Sequence, residues 1–215
     1  MAGRRIRCGV VGDKGSGKTA MIKAQINEKI SADFSTFDTF VTHVKAHKGT
    51  KLEEEVEMHL WTTLGGPEAK DMREALYKTM CDVLIICFSV VGGTMDQSIK
   101  ELWEPEVKMH CQGRPILLVG TQTDLREDGN MIASLKKKQQ KPVSKKDGEK
   151  LAKDIGAIRY MECSAMNQSG IRFVFQEAAK AVLESGDAHI PVTKRGIGLS
   201  RVLCGATSQQ SVDER

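Results

Sequence analysis

Along the 215 residues, apolar positions fall into two alternating kinds of segment. Short, nearly continuous apolar runs (RIRCGVVG, EVEMHLW, DVLIICFSV, RPILLVGT and IRYMECS) have the length and β-branched content of buried strands. TFVTHVKAHKG alternates apolar with polar residues, which predicts a sixth, half-buried strand joined to EVEMHLW through the polar link HKGTKLEE. Between these runs, residues 17 to 29, 95 to 111, 145 to 155 and 170 to 184 carry helical spacing. Such alternation predicts an α/β fold, a mostly parallel sheet with helices on both faces, whose ligands bind at the carboxyl ends of the strands. The length suits one α/β unit with a tail.

The first strand ends in a motif where that rule wants a ligand. GVVGDKGSGKTA, residues 9 to 20, contains Gly12-x-x-x-x-Gly17-Lys18-Thr19, the spacing of a phosphate-binding loop between a strand and a helix. Glycines let the backbone turn N–H groups toward phosphates, and the following helix N-terminus adds favourable potential. Gly12, Asp13, Lys14, Gly15, Ser16, Gly17, Lys18, Thr19 and Ala20 are therefore candidate nucleotide-binding residues. Lys18 reaches the outer phosphates, and the Thr19 hydroxyl suits one position around magnesium. Two later strand ends add to the picture. Asp124 in GTQTDL is placed to accept two hydrogen bonds from guanine N–H groups, which adenine does not offer in that geometry, and MECSAM ends the last strand.

Charge and cysteine content narrow the class. The net charge of +4 is too small to argue for nucleic acid. Lys136, Lys137, Lys138, Lys141, Lys145 and Lys146 crowd one segment and read as a solvated helical face. Six cysteines lack C-x-x-C spacing, and Cys8 and Cys87 sit among apolar residues, the pattern of buried thiols in a reducing compartment. MAGRRIRC shows no signal-peptide pattern, and no apolar run approaches the ~20 residues that span a bilayer, so a cytoplasmic or peripherally membrane-bound protein is expected.

At this point the chain resembles the small GTPases of the Ras superfamily, specifically the Rho/Rac branch, over about residues 4 to 184. The resemblance rests on GDKGSGKT, STFDTF, IICFS, WEPEVKMHC, PILLVGT with DLRED, and IGAIRYMECSA. The stretch of about 126–148 matches the helical insert that marks Rho proteins. The resemblance implies a P-loop small GTPase fold over residues 1–186, with a six-stranded mixed sheet, and a tail over 187–215. It also implies GTP or GDP with Mg2+, two switch segments, and effectors and exchange factors as partners. Ser164, Ala165 and Met166 join Gln122 and Asp124 as expected guanine contacts, the backbone N–H groups of Ala165 and Met166 meeting the guanine oxygen.

Departures from the family pattern matter most. Where the second switch reads D-T-A-G-Q after a tryptophan, this chain reads Trp61-Thr62-Thr63-Leu64-Gly65-Gly66. Thr62 replaces the aspartate of the magnesium shell, and Gly66 replaces the glutamine that orients the attacking water. Lys14 stands where the family's GDGAVGKT has a glycine that leaves room for an arginine finger; a rival reading gives Lys14 the transition-state charge itself. Gln122 replaces a lysine that packs along the base. The magnesium-binding threonine of the first switch aligns with Ser35, with Thr36 as the other candidate. The sequence ends SQQSVDER without a C-a-a-X box, so any membrane association is expected to be independent of prenylation, with Cys204 as an acylation candidate and an unmodified tail as the other reading.

The expectation is a GTP-binding, Rho-like signalling protein that hydrolyses GTP very slowly or not at all. It would act through effectors in cytoskeletal organisation or membrane trafficking. The alternative is a nucleotide-independent interaction scaffold on the same fold.

Overall fold

The structure, a computed structural model, describes residues 4–28, 37–92 and 95–186. Its six strands are β1 (Arg5–Gly12), β2 (Phe37–Ala46), β3 (Glu54–Thr63), β4 (Val83–Ser89), β5 (Ile116–Thr121) and β6 (Arg159–Glu162), in the spatial order β2-β3-β1-β4-β5-β6. β2 and β3 form an antiparallel hairpin, and every other pairing is parallel. All six strands expected from the apolar runs are present. β4 shows why such a run is a strand with both faces covered: Val83, Ile85 and Cys87 point to one side, Leu84, Ile86 and Phe88 to the other, and all are buried. In β2, which is an edge strand, only Thr42, Val44 and Ala46 are buried, the alternation that its sequence showed.

Helices α1 (Lys18–Gln25) and α7 (Ile171–Ser185) cover one face. The other is covered by α2 (Lys70–Thr79), α3 (Met95–Ser98) with its continuation α4 (Glu104–His110), α5 (Gly129–Lys137) and α6 (Lys145–Asp154). Met21, Ile22, Val174, Phe175, Ala178 and Val182 fill the first interface; Trp61, Tyr77, Ile99, Trp103, Val107 and Leu151 fill the second. α6 starts where Ser144 and Asp147 form a reciprocal capping box, and α5 starts where the Asp128 side chain accepts from the Met131 N–H.

Three details differ from the sequence expectation. The first helix ends at Gln25, where Asn27 adopts φ 58°, a left-handed conformation that stops a helix. The segment expected to be one helix over 95 to 111 is interrupted by a π-helical turn, Ile99–Trp103. α2, which follows a 3₁₀ turn at Pro67–Ala69, was not expected at all. The described cysteines, Cys8, Cys81, Cys87, Cys111 and Cys163, are all buried free thiols, as their apolar surroundings predicted. Cys204 and the tail lie outside the described residues. No helix among the described residues is long and apolar enough to cross a membrane.

Candidate functional site

The parallel register brings the carboxyl ends of four strands together. Val10 pairs with Thr62, Gly12 with Cys87, and Ser89 with Thr121, so the loop after β1 is flanked by the ends of β3, β4 and β5. Within that loop, Gly12 has φ 139° and Gly17 φ 79°. A side chain at Gly12 would overlap the Cys87 carbonyl, and a Cβ at Gly17 would lie 3.0 Å from Thr121 Oγ1, so both conformation and space require glycine. The Ser16 N–H bonds to the Asp13 carbonyl (3.1 Å). Among the described residues no hydrogen bond takes the N–H groups of Gly15, Gly17, Lys18, Thr19 or Ala20. These donors line the start of α1, where the helix field favours an anion.

Lys18 is buried and lies across the loop, its Nζ donating to the carbonyls of Gly12 and Asp13, both at 2.8 Å. Burial lowers its pKa. A buried ammonium held only by neutral carbonyls still lacks an anionic partner, and a phosphate supplies one. Lys14 is exposed and makes no hydrogen bond or ion pair among the described residues. The Asp13 carboxylate accepts from Ser98 Oγ (2.6 Å) and Trp103 Nε1 (2.7 Å), so it ties the loop to the π-helical turn.

The β5 end clamps the loop from the other side. Thr121 Oγ1 donates to the Ser16 carbonyl (2.7 Å), with the Phe88 carbonyl also in reach at 3.0 Å. Gln122, in the left-handed region at φ 59°, accepts from Ser89 Oγ (2.5 Å) and donates to the Gly15 carbonyl (3.2 Å). It therefore has a definite position bridging the phosphate loop to β4 and β5. Asp124 lies in the 3₁₀ turn Thr123–Glu127 and accepts from the fully buried Ser164 Oγ at 2.5 Å. The two strand ends are further tied by Arg126, whose guanidinium makes a forked pair with Glu162 (2.9 and 2.5 Å), while Tyr160 Oη donates to Glu162 (2.7 Å). The N–H groups of Ala165 and Met166 have no partner among the described residues, and Met166 is exposed. The structure thus gathers Gly12 to Ala20, Gln122, Asp124 and Ser164 to Met166 at one edge of the sheet.

The second switch is held in a way the sequence did not disclose. Gly65 packs so closely on the phosphate loop that a Cβ there would overlap the Gly12 oxygen, the Asp13 carbonyl carbon and the Lys14 nitrogen. Arg73 of α2 is fully buried; it makes a forked pair with Glu106 of α4 (2.7 and 2.8 Å) and donates to the carbonyls of Leu64 (3.2 Å) and Gly66 (2.8 Å). Its guanidinium stacks 4.8 Å from the centre of the Trp103 ring, and Tyr77 Oη donates to Glu106 (2.8 Å). Burial works against the charged guanidinium, but Glu106 outweighs it and the Arg73 pKa is raised. Burial, reinforced by Glu106, raises that of Tyr77. Trp103 and Glu106 belong to WEPEV, a motif that had carried resemblance but no physical role.

A six-stranded mixed sheet with a glycine-cradled loop at the end of β1 and an aspartate at the end of β5 is the P-loop small GTPase fold. The Ras family sequence model matches residues 7–184, and the chain belongs to the Ras family. Members of that family bind GTP and GDP, in general with Mg2+, and work with effectors and exchange factors.

The residues present suit the two parts of such a ligand unequally. The unpartnered N–H groups and Lys18 fit a phosphate chain. For a divalent cation the described residues offer the Thr19 hydroxyl and the Thr62 hydroxyl, the latter buried and without a hydrogen-bond partner, with Asp38 across from Thr62 on β2 and Glu68 against Gly66 as the neighbouring acids. No group of three or more His, Cys, Asp or Glu among them could hold a metal ion. Beside the phosphate oxygens that the nucleotide itself would supply, Thr62 gives a neutral hydroxyl where a carboxylate would help hold a magnesium ion, so the described side chains fit that ion poorly. Ser35, the expected first-switch ligand, and Thr36 lie outside the described residues.

Proposed function

We propose that the chain is a Rho-like GTP-binding signalling protein with impaired hydrolysis, acting through effectors in cytoskeletal organisation or membrane trafficking. The Rho assignment is supported by WEPEV and by the insert at about 126–148, where α5 lies. On this reading residues 1–186 form the GTPase domain and 187–215 a tail that lies outside the described residues, in a cytoplasmic or peripherally membrane-bound protein.

The observation that carries the nucleotide reading is the set of unpartnered N–H groups around buried Lys18, beside an aspartate held by Ser164. Asp124 accepts from the guanine N–H groups, the Ala165 and Met166 N–H groups meet the guanine oxygen, and Gln122 keeps the phosphate loop in register with the base site. A scaffold with no phosphate to bind has no need of Gly12 and Gly17 in conformations that exclude other residues.

Hydrolysis requires a water held in line with the terminal phosphate, because phosphoryl transfer depends on positioning and charge. Gly66 has no side chain to hold it, while Arg73 fixes the Leu64 and Gly66 carbonyls and Gly65 rests on the loop. On this reading the backbone of the segment is held and the side chain that would orient the water is missing. Gly66 is extended (φ −127°, ψ 174°), and the three atoms nearest to a Cβ there all belong to the carboxylate end of the Glu68 side chain, whose rotation would admit a glutamine. Single-turnover hydrolysis of bound GTP tests this. The unmodified chain should stay at or below about 10⁻⁴ s⁻¹ and gain nothing from a Rho-type activating protein. Restoring Gly at 14, Asp at 62 and Gln at 66 together should raise the rate. Clear acceleration of the unmodified chain by the activator would sink the reading.

A further inference from the structure

The mismatch between a site that fits phosphate and a donor set that does not fit magnesium has its own chemical resolution. A divalent cation beside a carboxylate contributes one net positive charge to the phosphate site. An ammonium beside a hydroxyl contributes the same. This chain carries the two residue types of the second combination, Lys14 in the phosphate loop and Thr62 at the end of β3. Three observations place Lys14 for the task. It has no carboxylate or hydrogen-bond partner among the described residues, so its charge is uncommitted. Its neighbour Asp13, the nearest acid in sequence, is engaged by Ser98 and Trp103 instead. Its backbone is fixed between the β1 end and Gly65, so the side chain starts from a defined point at the rim of the N–H cradle. Thr62 in turn is 3% exposed with an unpartnered hydroxyl, a neutral group where a buried carboxylate would have offset an added cation.

We infer that this chain holds the terminal phosphate of its nucleotide with the Lys14 ammonium in place of a divalent cation, so that nucleotide retention is independent of magnesium. The inference rests on the nucleotide-binding reading above. Lysine is a point charge on a flexible stem, suited to a phosphate oxygen without the directional demands of a metal shell. Two other acids stand near: Asp38, directly across from Thr62 on β2, and Glu68, which lies over Gly66. Recruitment of either to a metal ion would make retention metal-dependent, which the experiment reads.

The full chain is loaded with a fluorescent GTP analogue, and its release into excess unlabelled GTP is followed in magnesium and in EDTA. The two rates of the unmodified chain should agree within about threefold. Lys14→Gly should release about 10- to 100-fold faster in EDTA, the worth of one hydrogen bond between charged groups. Lys14→Arg, which keeps the charge, should restore slow release. Lys14 is exposed and unbonded, so these variants leave the folded core intact. Acceleration of the unmodified chain by EDTA of about tenfold or more would overturn the inference, as would a Lys14→Gly chain that behaves like the unmodified one. A chain that binds no nucleotide in either buffer would overturn the nucleotide-binding reading itself.

Discussion

Replacing Arg73 by alanine should be among the most damaging single changes available to this fold. The Arg73 and Glu106 side chains are 0% and 3% exposed, and the arginine makes two bonds to the carboxylate and two to second-switch carbonyls. Arg73→Ala leaves the buried Glu106 carboxyl with the Tyr77 hydroxyl as its one remaining hydrogen-bond partner among the described residues, and strips a donor from Leu64 and Gly66. Breaking a buried pair from one side costs about 3–5 kcal/mol, a large share of the roughly 5–15 kcal/mol that holds a domain together. With a urea slope of about 2 kcal/mol/M, the unfolding midpoint should fall by about 1.5–2.5 M. Arg73→Met with Glu106→Leu removes both charges, and the double change should cost clearly less than the two single changes summed. The assay is equilibrium urea unfolding followed by tryptophan fluorescence, since Trp103 stacks on the arginine. An Arg73→Ala midpoint within about 0.5 M of the parent, equivalent to about 1 kcal/mol, would show that the pair does not hold the second switch.

Gly65→Ala puts a methyl group against loop backbone that has no side-chain freedom to yield, so a cost of about 1–3 kcal/mol and a lower Tm are expected; an unchanged Tm would mean that Gly65 does not rest on the loop. Asp124→Asn removes a charged acceptor, and competition binding should show guanine preference over adenine falling by the equivalent of about 1.5–3 kcal/mol, with no change in preference as the contrary result. Glu162 is partly buried, which opposes its charge, but Arg126 and Tyr160 outweigh that and its pKa is lowered from 4.5. The unfolded chain then binds the proton more readily, so this stabilisation is full above about pH 4.5 and fades as pH falls through the folded value. Stability of Glu162→Gln should accordingly approach that of the parent in acid and fall below it at neutral pH, and parallel pH curves would refute the assignment.

How much of this was legible in the sequence varies with the physics behind each element. The strands and the phosphate loop were readable because apolar runs and glycine spacing are local signals. Helix α2 was not, because the face it buries consists of Arg73 and Tyr77, and a periodicity argument counts a buried arginine as polar. The π-helical turn leaves no mark in IKELW; it shows only in three dimensions, where Trp103 reaches both Asp13 and Arg73. Gln122 was read as a loss because a missing lysine is visible in sequence, whereas its bonds to Ser89 and Gly15 join residues 33 and 107 positions away. Thr62 and Gly66 were legible as departures. That Arg73 still holds the Leu64 and Gly66 carbonyls was not, because it depends on a contact with α4.

The central claim is that this chain carries a guanine nucleotide in its triphosphate form. The most direct measurement is the nucleotide content of the purified full chain, released by denaturation and resolved by chromatography. On the proposal that the pocket selects guanine and that Gly66 leaves the bound nucleotide uncleaved, guanosine triphosphate is predicted at close to one equivalent per chain. An empty protein, an adenine nucleotide, or stoichiometric guanosine diphosphate would contradict it.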